Sequence, residues 1–168
     1  SKVSKAKHFA ALPWRDMKPF MAELRKQNGI GALALQFTIL TAARSGEVRG
    51  MEWYEVDFEQ RLWTVPGERM KAGREHRVPL SNAAVELLEQ LKAVKLADTE
   101  TVFPSVRDHK PLSDMTLTAV LRRMQRGDIT VHGFRSSFRD WAAEATDYPQ
   151  EMAEMALAHI MGNKVEAA

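Results

Sequence analysis

The stretch IGALALQFTILTAARSGEVRG, residues 30–50, decides how the rest of the chain is arranged. From Ile30 to Ala43 it is apolar on nearly every side, interrupted at Gln36 and Thr38. That pattern belongs to a helix enclosed within a domain, and it falls short of the roughly 20 apolar residues a membrane helix needs. It predicts a central helical post. Arg44 follows this post directly, where solvent should be scarce, and an unpaired guanidinium is costly to bury. Either Glu47, three residues on, neutralises it, or Arg44 is presented to a phosphate or carboxylate in a cleft.

Upstream of the post, Trp14, Met17, Met21 and Leu24 recur at helical spacing between Pro13 and Gln27, and Asn28-Gly29 closes that helix. Ser1 to His8 is polar and basic without periodicity, and reads as a linker. Downstream, EVDF, RLWTVP and HRVPL between Trp53 and Leu80 are short β-rich runs. Turn chemistry at Glu59-Gln60 and from Pro66-Gly67 through Gly73 separates them, which predicts a small antiparallel sheet. Ser81 then caps a helix carrying Val85, Leu88 and Leu91, VFPS is a short extended piece, and Ser113 or Asp114 caps a helix reaching about Gln125. Two further helices are expected near 131–145 and 149–160. The expected class is mainly α with a small antiparallel β-sheet, α+β.

The 168 residues are 45% hydrophobic, enough for one core and too few for two comfortable ones. There is no cysteine, which excludes a disulfide framework and a thiolate zinc site. No secretory signal pattern is present, since the basic opening SKVSKAKHF has no apolar region behind it. Net charge is +2, from 24 Lys+Arg against 22 Asp+Glu, with a pI near 9.0, so placement matters more than excess. Leu121-Arg122-Arg123 and the pairs Lys71/Arg74 and Arg135/Arg139 could line a polyanion or form solvated faces.

The segment TVHGFRSSFRDW, residues 130–141, puts Phe134, Phe138, Trp141 and Ala145 on one helical stripe and His132, Arg135 and Arg139 on the other. With a start at Thr130, His132 and Gly133 fall in the first turn, where free N–H groups favour an anion and Gly133 would let a ligand approach. The same spacing describes an ordinary amphipathic helix showing its wet side. Lys71 sits in a polar hairpin connection bounded by Gly67 and Gly73. His76 reads as a strand residue, and His8 and His109 as loop residues. His159 shares a helical face with Met152, Met155 and Ala156, near a helix end at Gly162-Asn163 where the dipole favours a positive imidazole. No histidine pair has ligand spacing, so no metal is expected.

Taken in order, these residues are an arginine with a nearby acid, a hairpin lysine, His-x-x-Arg at a helix start, and Leu-x-His close to the end. That order resembles the tyrosine recombinases, the phage integrase family. The likeness runs from about Lys7 to Ala168 through LTAARSGEVRGMEW, ERMKAGREHRVPLS, VFPS, PLSDMTL, HGFRSSFRDWAAE and ALAH. It is similar to the catalytic domain of the prophage and genomic-island integrases. Ala158 stands where many relatives have glycine.

The resemblance implies the DNA breaking-rejoining enzyme fold, the tyrosine recombinase catalytic core, over residues 9–168. Residues 1–8 would be the linker from an upstream core-binding domain. It makes Arg44 and Arg135 the phosphate-binding arginines, Glu47 the supporting acid that orients Arg44, Lys71 the acid for the departing 5′-oxygen, His132 the base and His159 a hydrogen-bond donor to the phosphate. Arg74 and Arg139 would be lesser DNA contacts. The implied partner is double-stranded DNA at attachment sites, with a tetramer on DNA as the working assembly. No cofactor and no metal are implied, and the location would be the bacterial cytoplasm. The family's nucleophilic tyrosine lies just beyond the second histidine, whereas Tyr54 and Tyr148 both precede His159. The expectation is therefore a catalytic domain cut short of its nucleophile and inactive alone. The competing readings are a non-enzymatic DNA-binding relic and a helical protein-interaction domain in which these side chains never meet.

Overall fold

The computed structural model describes residues 10–95, 98–144 and 152–153. The post predicted by the apolar run is α2, Ile30–Thr41, and every residue from Gly31 to Thr41 is buried except Leu33, which is half-buried. A helix with no wet face needs neighbours all round. It has them in α1 (Met17–Arg25), α3 (Ser45–Arg49), α4 (Asn82–Ala93) and α5 (Asp114–Arg123). Its two buried threonines bond back along the helix, Thr38 Oγ1 to the Ala34 carbonyl at 2.7 Å and Thr41 Oγ1 to the Phe37 carbonyl at 2.8 Å. Polar side chains are thus tolerated inside because each satisfies itself locally.

The expected sheet is a three-stranded antiparallel meander in the order β1 (Val56–Asp57), β2 (Leu62–Val65), β3 (His76–Pro79). Trp63 pairs with Val56 on one side and Val78 on the other, so the alternating apolar positions share a register. Phe37 of α2 packs against Trp63 at 5.4 Å and against Phe103 of the VFPS stretch at 5.6 Å, tying post, sheet and connector into one core. Ser81 caps α4 as its position suggested, its hydroxyl accepting from the Ala84 N–H at 3.3 Å.

Three boundaries differ from expectation. The first helix opens as a 3-10 turn, Trp14–Asp16, before α1 begins at Met17. A five-residue helix, α3, follows the post, too short for periodicity to reveal. The helix expected from Thr130 starts at Gly133 as α6, Gly133–Glu144, with a turn before it. Its apolar stripe holds in part: Phe134 and Trp141 are buried and Phe138 is partly so, while Ala145 and most of the expected 149–160 helix lie outside the described residues. Phe20 of α1 meets Phe134 at 5.3 Å and fixes α6 against the bundle.

Candidate active site

Arg44 is positioned by the way α2 stops. Ala42 takes a left-handed conformation, φ 51°, and Arg44 is extended at the N-cap of α3. This reversal carries the arginine from the buried post to the surface, where its side chain is 60% exposed. The expectation that Arg44 lies where solvent is scarce is thereby corrected. A left-handed alanine is less favourable by about 1 kcal/mol, so packing on both sides must hold the bend. Glu47, nearly buried, uses one oxygen to accept the Arg44 backbone N–H at 3.0 Å; its other oxygen lies 3.9 Å from the Arg44 guanidinium. The acid thus orients the arginine chiefly through its backbone and leaves the guanidinium N–H fork facing outward.

Arg135, on the first turn of α6, is half-buried and donates from Nη1 to the Ala42 carbonyl at 2.5 Å. Burial, the nearby Arg44 and, less, Arg139 lower its pKa, against the opposing pull of Glu47. An arginine remains cationic through such a shift. Two guanidiniums held side by side repel unless an anion sits between them.

Arg44 and Arg135 line two adjoining clefts. One, about 320 Å³, is completed by Glu47, Met70, His76, Val78, Phe138 and Arg139. The other, about 510 Å³, adds Ser45, Arg49, Asp114, Thr118, Thr130 and His132. His132 is exposed at the residue before α6, and its pKa is lowered by partial desolvation, then by Arg135, Arg44 and Arg139. The shift favours the neutral imidazole, the form able to accept a proton.

This shift has a measurable sign. The unfolded chain takes up the His132 proton near pH 6.5 and the folded chain only at lower pH, so between those values the unfolded state binds more protons. Stability attributable to His132 is expected to be full above pH 6.5 and to decline as pH falls below it. The Tm of His132→Gln should fall less between pH 7 and 5.5 than that of the parent chain. An equal fall would show that the imidazole is not held neutral.

Arg44, Glu47, His132 and Arg135 thus converge, with Arg139 at the rim beside Phe138. Lys71 and Arg74 lie on the exposed 70–75 connection and line neither cleft, although Met70 does. His159 lies outside the described residues. Two expectations for the start of α6 are overturned. The N–H groups of Gly133, Phe134 and Arg135 already bond to the carbonyls of Thr130, Val131 and His132, so they offer nothing to an anion. A Cβ on Gly133 would stand 2.3 Å from the Ala10 carbonyl oxygen, so the close approach this glycine permits is that of the chain's own residues 10–11, not a ligand. Among the described residues no group of three His, Asp or Glu could hold a metal ion. Nor is any helix there long and apolar enough to cross a membrane.

His76 was missed as a lining residue, though the period of two along β3 puts it on the same face as Val78, which faces the same cleft.

Comparison with known proteins gives a concordant result. The sequence model described as the phage integrase family matches residues 12–167. The integrase of Enterobacteria phage P4 is 34% identical over 184 residues, covering 99% of this chain and 42% of that protein. Prophage integrase IntA of Escherichia coli (strain K12) is 36% identical over 132 residues, covering 77% of this chain and 32% of its own length. The chain therefore spans about two fifths or less of these relatives. Among solved structures, a lambda integrase dimer bound to a COC′ core site superposes with a TM-score of 0.60 at 22% identity, over 84% of this chain and 43% of that one. The Tn1549 transposon integrase in complex with a circular intermediate DNA gives 0.68 at 13% identity, over 91% and 59%. At these identities the structures attest the fold, and that fold is the tyrosine recombinase catalytic core.

Proposed function

The chain belongs to the phage integrase family, and from that premise we propose that it is the catalytic domain of a site-specific DNA recombinase that cuts and rejoins DNA through a 3′-phosphotyrosine. The observation that carries this reading is the convergence of Arg44, Arg135 and His132 on one cleft. Paired guanidiniums match the two non-bridging oxygens of a phosphodiester and stabilise the crowded five-coordinate phosphorus of an in-line attack. The phenol oxygen of the nucleophile bonds to phosphorus while the bond to the 5′-oxygen breaks. His132 takes the phenolic proton, and Lys71 delivers a proton to the departing 5′-oxygen. His159 donates a hydrogen bond to the phosphate. Rejoining is the reverse.

Lys71 must come in from the exposed connection when DNA is bound, and the duplex minor groove beside the scissile bond is where that connection would enter. Tyr54 is exposed and lines neither cleft, so it is not the nucleophile in this reading. That role falls to a tyrosine following His159 in a longer chain, as the family pattern requires. Arg139 and Arg74 add contacts to the duplex backbone. Residues 1–168 alone are expected to bind DNA weakly and to lose affinity steeply with salt, because phosphate contacts dominate. A lambda integrase tetramer bound to a Holliday junction is among the similar folds, and a tetramer on DNA within the bacterial cytoplasm is the proposed working state.

The test extends the chain past residue 168 through the first downstream tyrosine and supplies nicked attachment-site DNA. A covalent protein–DNA adduct that disappears on changing that tyrosine to phenylalanine is the expected result. An extended chain that binds the DNA yet forms no adduct would favour the DNA-binding relic.

A further inference from the structure

We propose that Arg69 is a positioning residue that anchors the base of the lysine-bearing hairpin to the arginine-bearing turn, so that Lys71 swings in from a fixed point when DNA binds. The proposal rests on the reading of Lys71 as the acid for the 5′-oxygen.

Arg69 ends a 3-10 turn, Gly67–Arg69, two residues before Lys71. Its guanidinium makes a fork on Glu55, Nε to Oε2 at 3.0 Å and Nη2 to Oε1 at 2.6 Å, and its Nη1 donates to the Glu47 carbonyl at 3.2 Å. All three nitrogens are engaged. The Glu55 side chain has no exposure to solvent, and its Oε1 also accepts from the indole N–H of buried Trp63 at 3.1 Å. Gly50 makes room for this, since a Cβ there would stand 2.7 Å from Arg69 Nη1.

The network ties together β2, the turn that follows it and α3. Trp63 belongs to β2, Arg69 leads into the 70–75 connection, and Glu47 belongs to α3, where its carboxylate holds the backbone of Arg44. Arg69 therefore braces one end of the connection that carries Lys71 against the residue that orients Arg44. A buried ion pair is a poor way to gain stability, because apolar residues of similar volume serve as well. A bidentate fork does impose a fixed distance and direction. General acid catalysis needs that, because the donor must come within hydrogen-bond reach of the leaving oxygen.

The experiment uses the full-length integrase and two DNA substrates, one with the ordinary 5′-bridging oxygen and one with sulfur in its place. A thiolate leaves without a proton, so a defect confined to the acid disappears on the sulfur substrate. Arg69→Ala is expected to slow cleavage of the oxygen substrate by about 100-fold, the lower range for a lost acid, while cleaving the sulfur substrate near the parent rate. Lys71→Ala should give the same pattern, and Arg135→Ala should be slow on both. Should Arg69→Ala fail to fold, Arg69→Met combined with Glu55→Gln takes its place, since it removes both charges and keeps an acceptor for Trp63. Equal slowing of an Arg69 variant on both substrates, or no slowing on either, overturns the proposal while Lys71→Ala is rescued by sulfur. If Lys71→Ala is not rescued, the acid assignment itself falls and this inference falls with it.

Discussion

Arg135→Ala is expected to reduce DNA cleavage by the intact integrase by about 100- to 1,000-fold, the loss that accompanies removal of one preorganised donor from a transition-state oxygen. The guanidinium does two things at once. It faces both clefts beside Arg44, and its Nη1 is anchored on the Ala42 carbonyl. The anchor fixes where the remaining N–H groups point, and a lysine cannot reproduce that fork. Arg135→Lys should therefore recover little of the rate although it keeps the charge. The structural part of the loss is small, because one net hydrogen bond is worth about 1 kcal/mol.

An independent readout separates this effect from misfolding. Arg135 is the foremost charge holding the His132 pKa down, after desolvation. Removing Arg135 should let the imidazole titrate closer to its ordinary value, followed by NMR of the histidine ring in Ser1–Ala168. A folded Arg135→Ala chain with unchanged His132 titration and undiminished binding of inorganic phosphate would refute the proposed phosphate grip.

Gly133→Ala should destabilise the domain by about 3 kcal/mol, the upper end of ordinary overpacking. The added methyl would lie 2.3 Å from the Ala10 oxygen and 3.0 Å from both the Ala10 carbonyl carbon and the Ala11 Cα, all of them backbone atoms that no side-chain rotation can move aside. The strap at residues 10–12 is itself bonded to this region. The Ala10 carbonyl accepts from the Thr130 N–H at 3.0 Å and from its hydroxyl at 3.1 Å, and the Leu12 carbonyl accepts from the Ser137 hydroxyl. Displacing the strap loosens the turn that presents His132 and Arg135, so phosphate binding should weaken with stability. Gly127→Ala supplies the control, since nothing lies within 4 Å of its would-be Cβ and its φ is not positive. Urea denaturation of the two variants should separate them clearly; equal midpoints would mean that the strap yields without cost.

The amino-acid order by itself determined whatever depends on neighbours along the chain. The all-round apolar character of residues 30–43 required an enclosed helix, short β-rich runs between turn signals from Trp53 to Leu80 pointed to a sheet, and Ser81 marked a helix start. The spacing of His132, Arg135 and Arg139 suggested three basic groups on one face, and the resemblance to the family named Arg44, Glu47, Lys71, His132, Arg135 and His159 as expected members of one site; Arg44, Glu47, His132 and Arg135 line the adjoining clefts, Lys71 lines neither, and His159 lies outside the described residues.

Only the tertiary structure decided matters that join distant segments. Arg135 reaches a carbonyl 93 positions away, Gly133 makes room for residues 10–11, and Arg69 meets Glu55 and Glu47 across three separate segments. The bend at Ala42 depends on how α2 and α3 pack, because alanine has no local preference for a left-handed backbone. The period of two along β3 puts His76 on the Val78 face, but that this face lines the same cleft as Arg135 and Phe138 is decided by packing. Periodicity records which face of an element is dry; which other element covers that face, and which polar groups are carried along with it, is settled by packing.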